Sequence, residues 1–230
     1  MSDNEKNETA RMMGIDAVAG IMILNMISYH CYSLPFHIFL IFFMPWFFFK
    51  SGMFYKRQSF KDCVQKSAKK LLYPFFTFTI LGYLVYVLIF LSEGNHELSD
   101  YFIIPLKELV LDGSIYGNKP LWFLFSFFIV QVIFSVVENN MKYPIFIIIP
   151  AIIIVYTLFL YDNPLPRYFA NVNSGLVFYT LGYVLRKKQF SPYVSVTAII
   201  TYILFVIFGI TFVDMFPNIL RQGIYLHWFV

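Results

Sequence analysis

The sequence predicts an all-α fold: a polytopic membrane helix bundle of about seven transmembrane helices, with a cytoplasmic N-terminus. Three observations predict it. Of 230 residues, 59% are hydrophobic and only 13% are charged, about half the roughly 25% charge of a soluble domain. Aromatic residues reach 21%, with 29 Phe and 17 Tyr, a composition suited to lipid-facing surfaces and interfacial belts. Lys and Arg are also segregated along the chain, twelve on one set of connecting segments and four on the other.

A span needs roughly 17–25 mostly apolar residues. Seven segments meet this, at 14–32, 36–54, 71–92, 120–137, 143–160, 169–185 and 192–214. A polar tail, residues 1–11, leads straight into the first, so no cleavable signal peptide is expected. Leu34-Pro35 divides the first two spans, Asp162-Asn-Pro-Leu-Pro166 the fifth and sixth, and Gln189-Phe-Ser-Pro192 precedes the seventh. The Lys/Arg bias places the N-terminus inside. The longest connection, 93–119, is then external and carries a short amphipathic stretch, Asp100 to Asp112, expected on the membrane surface or re-entering a cavity. Cys31 and Cys63 fall on opposite sides, which speaks against a disulfide between them. No internal repeat is visible, and residues 1–230 read as one domain.

His30 is the sharpest candidate for chemistry. It sits near the external end of the first span, fourteen residues after Asp16. At about 100° per residue the two share a helix face roughly 21 Å apart along the axis. That face is expected to point into the bundle, because an ionisable group facing lipid costs about 2.5 kcal/mol or more. Two readings stand for His30: a general base near neutral pH, or an interfacial histidine that only hydrogen-bonds. His37, across the short turn, is read first as interfacial. Lys50 lies near the inner end of the second span and either snorkels to the headgroups or captures an anionic ligand. The loop Tyr55–Lys70 carries six positive charges and one negative. It fits anionic-lipid contact or a phosphate-rich cytosolic cofactor. Trp122, opening the fourth span, reads as an interfacial anchor. Asn171, Asn173 and Ser174 in the sixth span glue helices together or line a polar cavity.

The chain has no Gly-rich phosphate loop, no His-Glu-x-x-His, no Cys-x-x-Cys and no Gly-x-Ser-x-Gly. Metal sites, nucleotide hydrolysis and serine hydrolysis therefore lack a motif. No basic run alternates with aromatics in a soluble region, so nucleic acid is not an expected partner. Residues alone reach a polytopic membrane protein with a candidate proton-handling histidine.

Five segments in order are more specific than any one. Arg11-x-x-x-x-Asp16 with Gly20 to His30, Phe43-Met-Pro-Trp-Phe-Phe-Phe-Lys-Ser-Gly52, Lys69-Lys-Leu-Leu-Tyr-Pro74, Asn118-Lys-Pro-Leu-Trp-Phe-Leu124, and Phe178-Tyr-Thr-Leu-Gly182 with Arg186-Lys-Lys188 together resemble the acyltransferase 3 family of bacterial integral-membrane O-acyltransferases. The resemblance implies transfer of an acyl group, commonly acetyl, from cytosolic acetyl-CoA or another acyl-CoA to a hydroxyl of a cell-surface carbohydrate, in the bacterial plasma membrane. It implies His30 as the essential histidine, with Asp16 tuning its helix. It implies Lys50, Lys69 and Lys70 on the CoA phosphates, and Asn118, Trp122 and His37 on the acceptor side. No metal is implied. Partners are the bilayer and the glycan acceptor, with a homo-oligomer or partner membrane protein as a further expectation.

Two positions depart from the family pattern. Ala19 stands where members usually carry Arg or Lys eleven residues before the histidine, and Phe43 stands in place of a histidine. Seven spans against the family's ten lead to the expectation of a C-terminally short chain. An alternative reading is a catalytically impaired relative acting as a partner subunit. A further alternative is a small-solute or glycan transporter, although no paired halves with interrupted helices are visible.

Overall fold

A computed structural model describes residues 13–24, 26–27, 43–94, 97–115, 118, 121–143, 145–155 and 168–187, with the single positions 193, 197, 200 and 204. Among the described residues the structure is all-helical, with no strand. The elements are α1 (Met13–Leu24), α2 (Phe43–Met53), α3 (Phe60–Ser67), α4 (Tyr73–Glu93), α5 (Leu98–Asp112), α6 (Trp122–Asn140), α7 (Ile145–Val155) and α8 (Tyr168–Leu185). Among the described residues, two helices are long and apolar enough to cross a membrane: the continuous 60–93 helix and α6. Apart from the single positions 193, 197, 200 and 204, the expected seventh span, 192–214, lies outside the described residues, as do the turn between the first two spans and both His30 and His37.

The basic stretch expected as a loop is largely helical. Ser59 caps α3, its hydroxyl accepting from the Asp62 amide at 3.1 Å, the usual way to satisfy an orphan helix donor. Asp62 then lies in the first turn, where the helix dipole favours an acid. A π-helical turn, Ala68–Leu72, joins α3 to α4 without a break. The continuous helix has 34 residues, about 51 Å at 1.5 Å per residue, against a hydrocarbon core of about 30 Å. Gly94, at φ 69°, ends it.

α2, α6 and α8 form the core and run in the same direction. Along α2 and α6, Phe48 meets Phe127, Ser51 meets Gln131, and Tyr55 meets Phe134. Along α2 and α8, Phe48 lies against Gly175 and Tyr55 meets Tyr183. α4 runs the opposite way, with Ser67 on Gln131, Phe75 on Phe125 and Gly82 on Asn118. This up-and-down alternation is the one expected of successive spans.

Lipid is as apolar as a leucine core, so helices in it associate through close packing rather than expulsion of water. Glycine supplies the closeness here. A Cβ on Gly52 would land on the Tyr179 carbonyl oxygen, and one on Gly182 on the Phe49 carbonyl oxygen. Gly175 would place its Cβ 2.6 Å from the Phe48 ring. Gly175 and Gly182 are seven residues apart, about 20° short of two turns, so both face α2.

The stretch Asp100 to Asp112, expected to be amphipathic, lies within a 15-residue helix, Leu98–Asp112. The Glu97 amide donates to Asp100 at 3.2 Å, and Gly113 closes the helix at φ 71°. Tyr83 and Tyr86 of α4 donate to the carbonyls of Tyr101 and Asp100, each at 2.9 Å. At its far end Gly113 packs against Phe125 and Tyr168. α5 thus crosses from α4 to the starts of α6 and α8.

Gly182→Ala is expected to destabilise the fold by about 1–3 kcal/mol, the cost of overpacking a fixed backbone contact. Gly14→Ala, where a Cβ meets nothing within 4 Å, is the control and is expected to be neutral or slightly stabilising. Thermal unfolding of both variants in detergent reads the difference.

Candidate functional site

The C-terminal ends of α2, α6 and α8 meet at one end of the core, where their parallel dipoles sum to negative potential. Arg57, Arg186 and Lys187 answer it with positive charge at the same end. A carboxylate also sits there. Glu138, only 7% exposed, accepts from Tyr183 at 3.1 Å and from Tyr55 at 3.5 Å, and pairs with Arg57 at 3.5 Å. A buried acid beside three helix C-termini requires such donors. Burial, chiefly, raises the Tyr55 phenol above its ordinary pKa, and the Glu138 carboxylate adds to the rise, so this hydroxyl stays a donor.

Further contacts tie the same elements together. Arg186 donates to the Tyr55 carbonyl at 2.9 Å and lies 4.0 Å over the Tyr183 ring. Arg57 reaches the Asn139 carbonyl at 3.2 Å, and the Asn139 amide donates to the Gln58 carbonyl at 2.9 Å. About two turns deeper along α6, Gln131 joins three elements, accepting from Ser67 at 2.6 Å and donating to Ser51 at 3.3 Å.

Lys69 and Lys70 lie on the π-turn that leads from α3 into α4, just after Ser67, which meets Gln131. Both are exposed, while Cys63 and Ser67 of α3 are buried against α6. π-turns inside helices recur at functional sites. The α3 stretch therefore presents a cationic edge, with Lys56, Lys61 and Lys66 also exposed. Such an edge suits a polyanion.

The structure brings Asp16 and Lys50 together at 2.9 Å. The expectation that Asp16 points into the bundle does not hold: its side chain is 68% exposed. It lies in the first turn of α1, beside the polar end of the core, where water and Lys50 satisfy it. Lys50 accordingly holds a carboxylate. Exposed pairs of this kind contribute about 0–1 kcal/mol, so the pair orients α1 against α2 more than it stabilises either.

Trp122 is not an interfacial anchor. It is 4% exposed and belongs to the core cluster, edge-on to Phe123. Asn118 donates to the Phe78 carbonyl at 2.9 Å and so ties the chain before α6 to the first third of α4. Asn173 glues α8 to α7 through the Ile152 carbonyl at 3.2 Å. Asn171 Oδ1 and Ser174 Oγ are buried with no hydrogen-bond partner. No group of three or more His, Cys, Asp or Glu capable of holding a metal occurs among the described residues.

Glu138 escaped the sequence reading, which ended the fourth span at 137. A signal existed: Trp122, Ser126, Val130, Phe134 and Glu138 repeat every four residues, and all are buried. Its partners Tyr55, Arg57 and Tyr183 are far away in sequence. Glu138→Ala, leaving three donors without their acceptor, is expected to cost about 1–3 kcal/mol. Glu138→Gln keeps two hydrogen bonds and is expected to cost less. Thermal unfolding in detergent ranks the two.

A family model described as an acyltransferase domain, that of the acyltransferase 3 family, matches residues 13–230. No curated protein matches the chain. No solved structure matches it either.

Proposed function

The chain belongs to the acyltransferase 3 family, and on that premise we propose that it is an integral-membrane O-acyltransferase. It moves an acyl group, most simply acetyl, from cytosolic acyl-CoA to a hydroxyl of a cell-surface carbohydrate. The observation that carries this reading is the family match over nearly the whole chain. The cationic edge of α3 and the π-turn supports it, because CoA carries several phosphate charges and Lys binds phosphate as a point charge. In this proposal the protein crosses the bacterial plasma membrane seven times with its N-terminus inside, so that edge faces the cytosol.

Lys69 and Lys70, exposed and without side-chain partners among the described residues, hold the donor's phosphates. Lys50 contributes a deeper cation that Asp16 shares and steadies. His30, further along the chain from α1, acts as general base. It takes the proton from the acceptor hydroxyl as that oxygen attacks the thioester carbonyl carbon. The carbon–sulfur bond breaks, and the CoA thiolate leaves and is reprotonated. His37 and Asn118 flank the acceptor side, and Trp122 supports it from within the core.

Mass spectrometry of surface glycans tests this in deletion, complemented and His30→Ala strains. The expected result is an acetyl increment that disappears on deletion, returns with wild type and does not return with His30→Ala. General-base assistance is worth roughly 10²–10⁴-fold in rate. An unchanged glycan in every strain would sink the proposal and leave the partner-subunit reading, for which Ala19 and Phe43 are the motivating positions. Lys69→Glu with Lys70→Glu is expected to raise KM for acyl-CoA with kcat largely retained, and a fall in kcat alone would remove both residues from donor binding.

A further inference from the structure

Three polar side chains near the start of α8 divide by what they meet. Asn173 holds the Ile152 carbonyl of α7. Asn171 and Ser174 are only 3% and 2% exposed, yet Asn171 Oδ1 and Ser174 Oγ have no hydrogen-bond partner. Trp46 of α2 buries its indole Nε1 in the same condition. In hydrocarbon an unmet donor or acceptor is costly, and each one kept in a native fold calls for a reason.

Packing contacts place the three on one flank of the core. Phe48 lies at Gly175 and Gly52 at Tyr179, so Trp46 falls level with the stretch from Asn171 to Ser174. On α8 the line Gly175, Tyr179, Gly182 faces α2, and Tyr183 turns from that line toward Glu138 of α6. At about 100° per residue, Asn171 and Ser174 stand about 40° and about 100° from Gly175 on the opposite side, away from α6. On α2, Ser51 meets Gln131 of α6. Trp46 stands about 140° from Ser51 and so also turns away from α6. Lys50, one turn from Trp46, pairs there with Asp16 of α1. α1 therefore lies along this flank, with Ala19 and Met22 among its buried residues.

The three atoms define what they can hold. The indole N–H only donates, and the Asn171 oxygen only accepts. A lone anion would meet the amide oxygen, and a lone cation would meet the indole N–H. Two groups together answer all three atoms: an oxygen that accepts from Trp46 and Ser174, and a hydroxyl that donates to Asn171. Acyl transfer to a hydroxyl brings such a pair together. Lys50 marks the way in, since a donor passing it from the C-terminal end of α2 reaches Trp46 about 6 Å deeper.

Resting on the acyltransferase reading above, we propose that Trp46 Nε1 and Ser174 Oγ bind the carbonyl oxygen of the acyl thioester and that Asn171 Oδ1 orients the attacking hydroxyl. As the hydroxyl oxygen bonds to the carbonyl carbon, its proton passes to His30 and the carbonyl π pair moves onto oxygen. The two donors hold the charge that collects there, away from water, where such donors act most strongly. The pair then returns to carbon, the carbon–sulfur bond breaks, and CoA leaves as the thiolate and is reprotonated.

The test uses the full chain in nanodiscs with acetyl-CoA isotopically labelled at the acetyl carbonyl. Isotope-edited infrared spectroscopy reads the bound carbonyl band, and steady-state kinetics and thermal unfolding accompany it. Thr180→Val is the control, because its hydroxyl is also buried and unpartnered but stands about 140° from Gly175, on the Asn173 side. The expected band lies at lower frequency than that of free acetyl-CoA. This displacement shrinks in Ser174→Ala and in Trp46→Phe and persists in Thr180→Val. Ser174→Ala is expected to lower kcat about 10²-fold, with KM for acetyl-CoA largely retained and thermal unfolding not lowered. A displacement equal in wild type and Ser174→Ala would overturn the site, leaving water as the partner of these atoms. Lowered thermal unfolding with kcat intact would overturn it in favour of helix packing. Glycan acetylation by a wild type whose bound carbonyl band is undisplaced would overturn this site alone. No bound band in wild type would overturn the acyltransferase reading and the site with it.

Discussion

The backbone contact between α2 and α8 sets the place of every other element. In hydrocarbon solvent there is no gain from hiding apolar side chains, so a bundle needs surfaces that fit. Gly52 against the Tyr179 carbonyl and Gly182 against the Phe49 carbonyl let the two helices touch main chain to main chain. That closeness brings Tyr55 and Tyr183 into ring contact, with centroids 5.8 Å apart. It leaves one shared face for α6, which fills it with Phe134 against both tyrosines.

Depth then sorts the polar groups. At the end where α2, α6 and α8 terminate, Glu138, Arg57, Arg186 and two tyrosines satisfy one another. About two turns deeper along α6, Gln131 with Ser51 and Ser67 forms a neutral network, as expected where a charge would be more costly. The Lys-rich side of α3 stays outside this network. A buried cluster thus holds the helices, and an exposed cationic edge runs along α3 beside it.

Much of the helix inventory was legible in the sequence. Expected spans 71–92, 120–137 and 169–185 correspond to α4, α6 and α8 within about three residues, because long apolar runs bounded by charge leave little freedom. The family was legible too, since ordered motifs survive in an apolar background. Pairwise properties were not. Asp16 and Lys50 each stood out, but their ion pair depends on how α1 meets α2. Glu138 looked like an ordinary boundary residue until helices from three parts of the chain surrounded it. The α3 stretch read as a loop because six cations obscured its short buried side, Cys63 and Ser67.

Reconstitution separates this account from its rivals most directly. The purified full chain, in proteoliposomes with radiolabelled acetyl-CoA on the side of the cationic edge and a carbohydrate acceptor on the other, is assayed for label on the glycan. The account predicts label on the acceptor that is absent with His30→Ala. Label remaining on CoA with wild-type protein, when a bona fide family member transfers it under the same conditions, would contradict it.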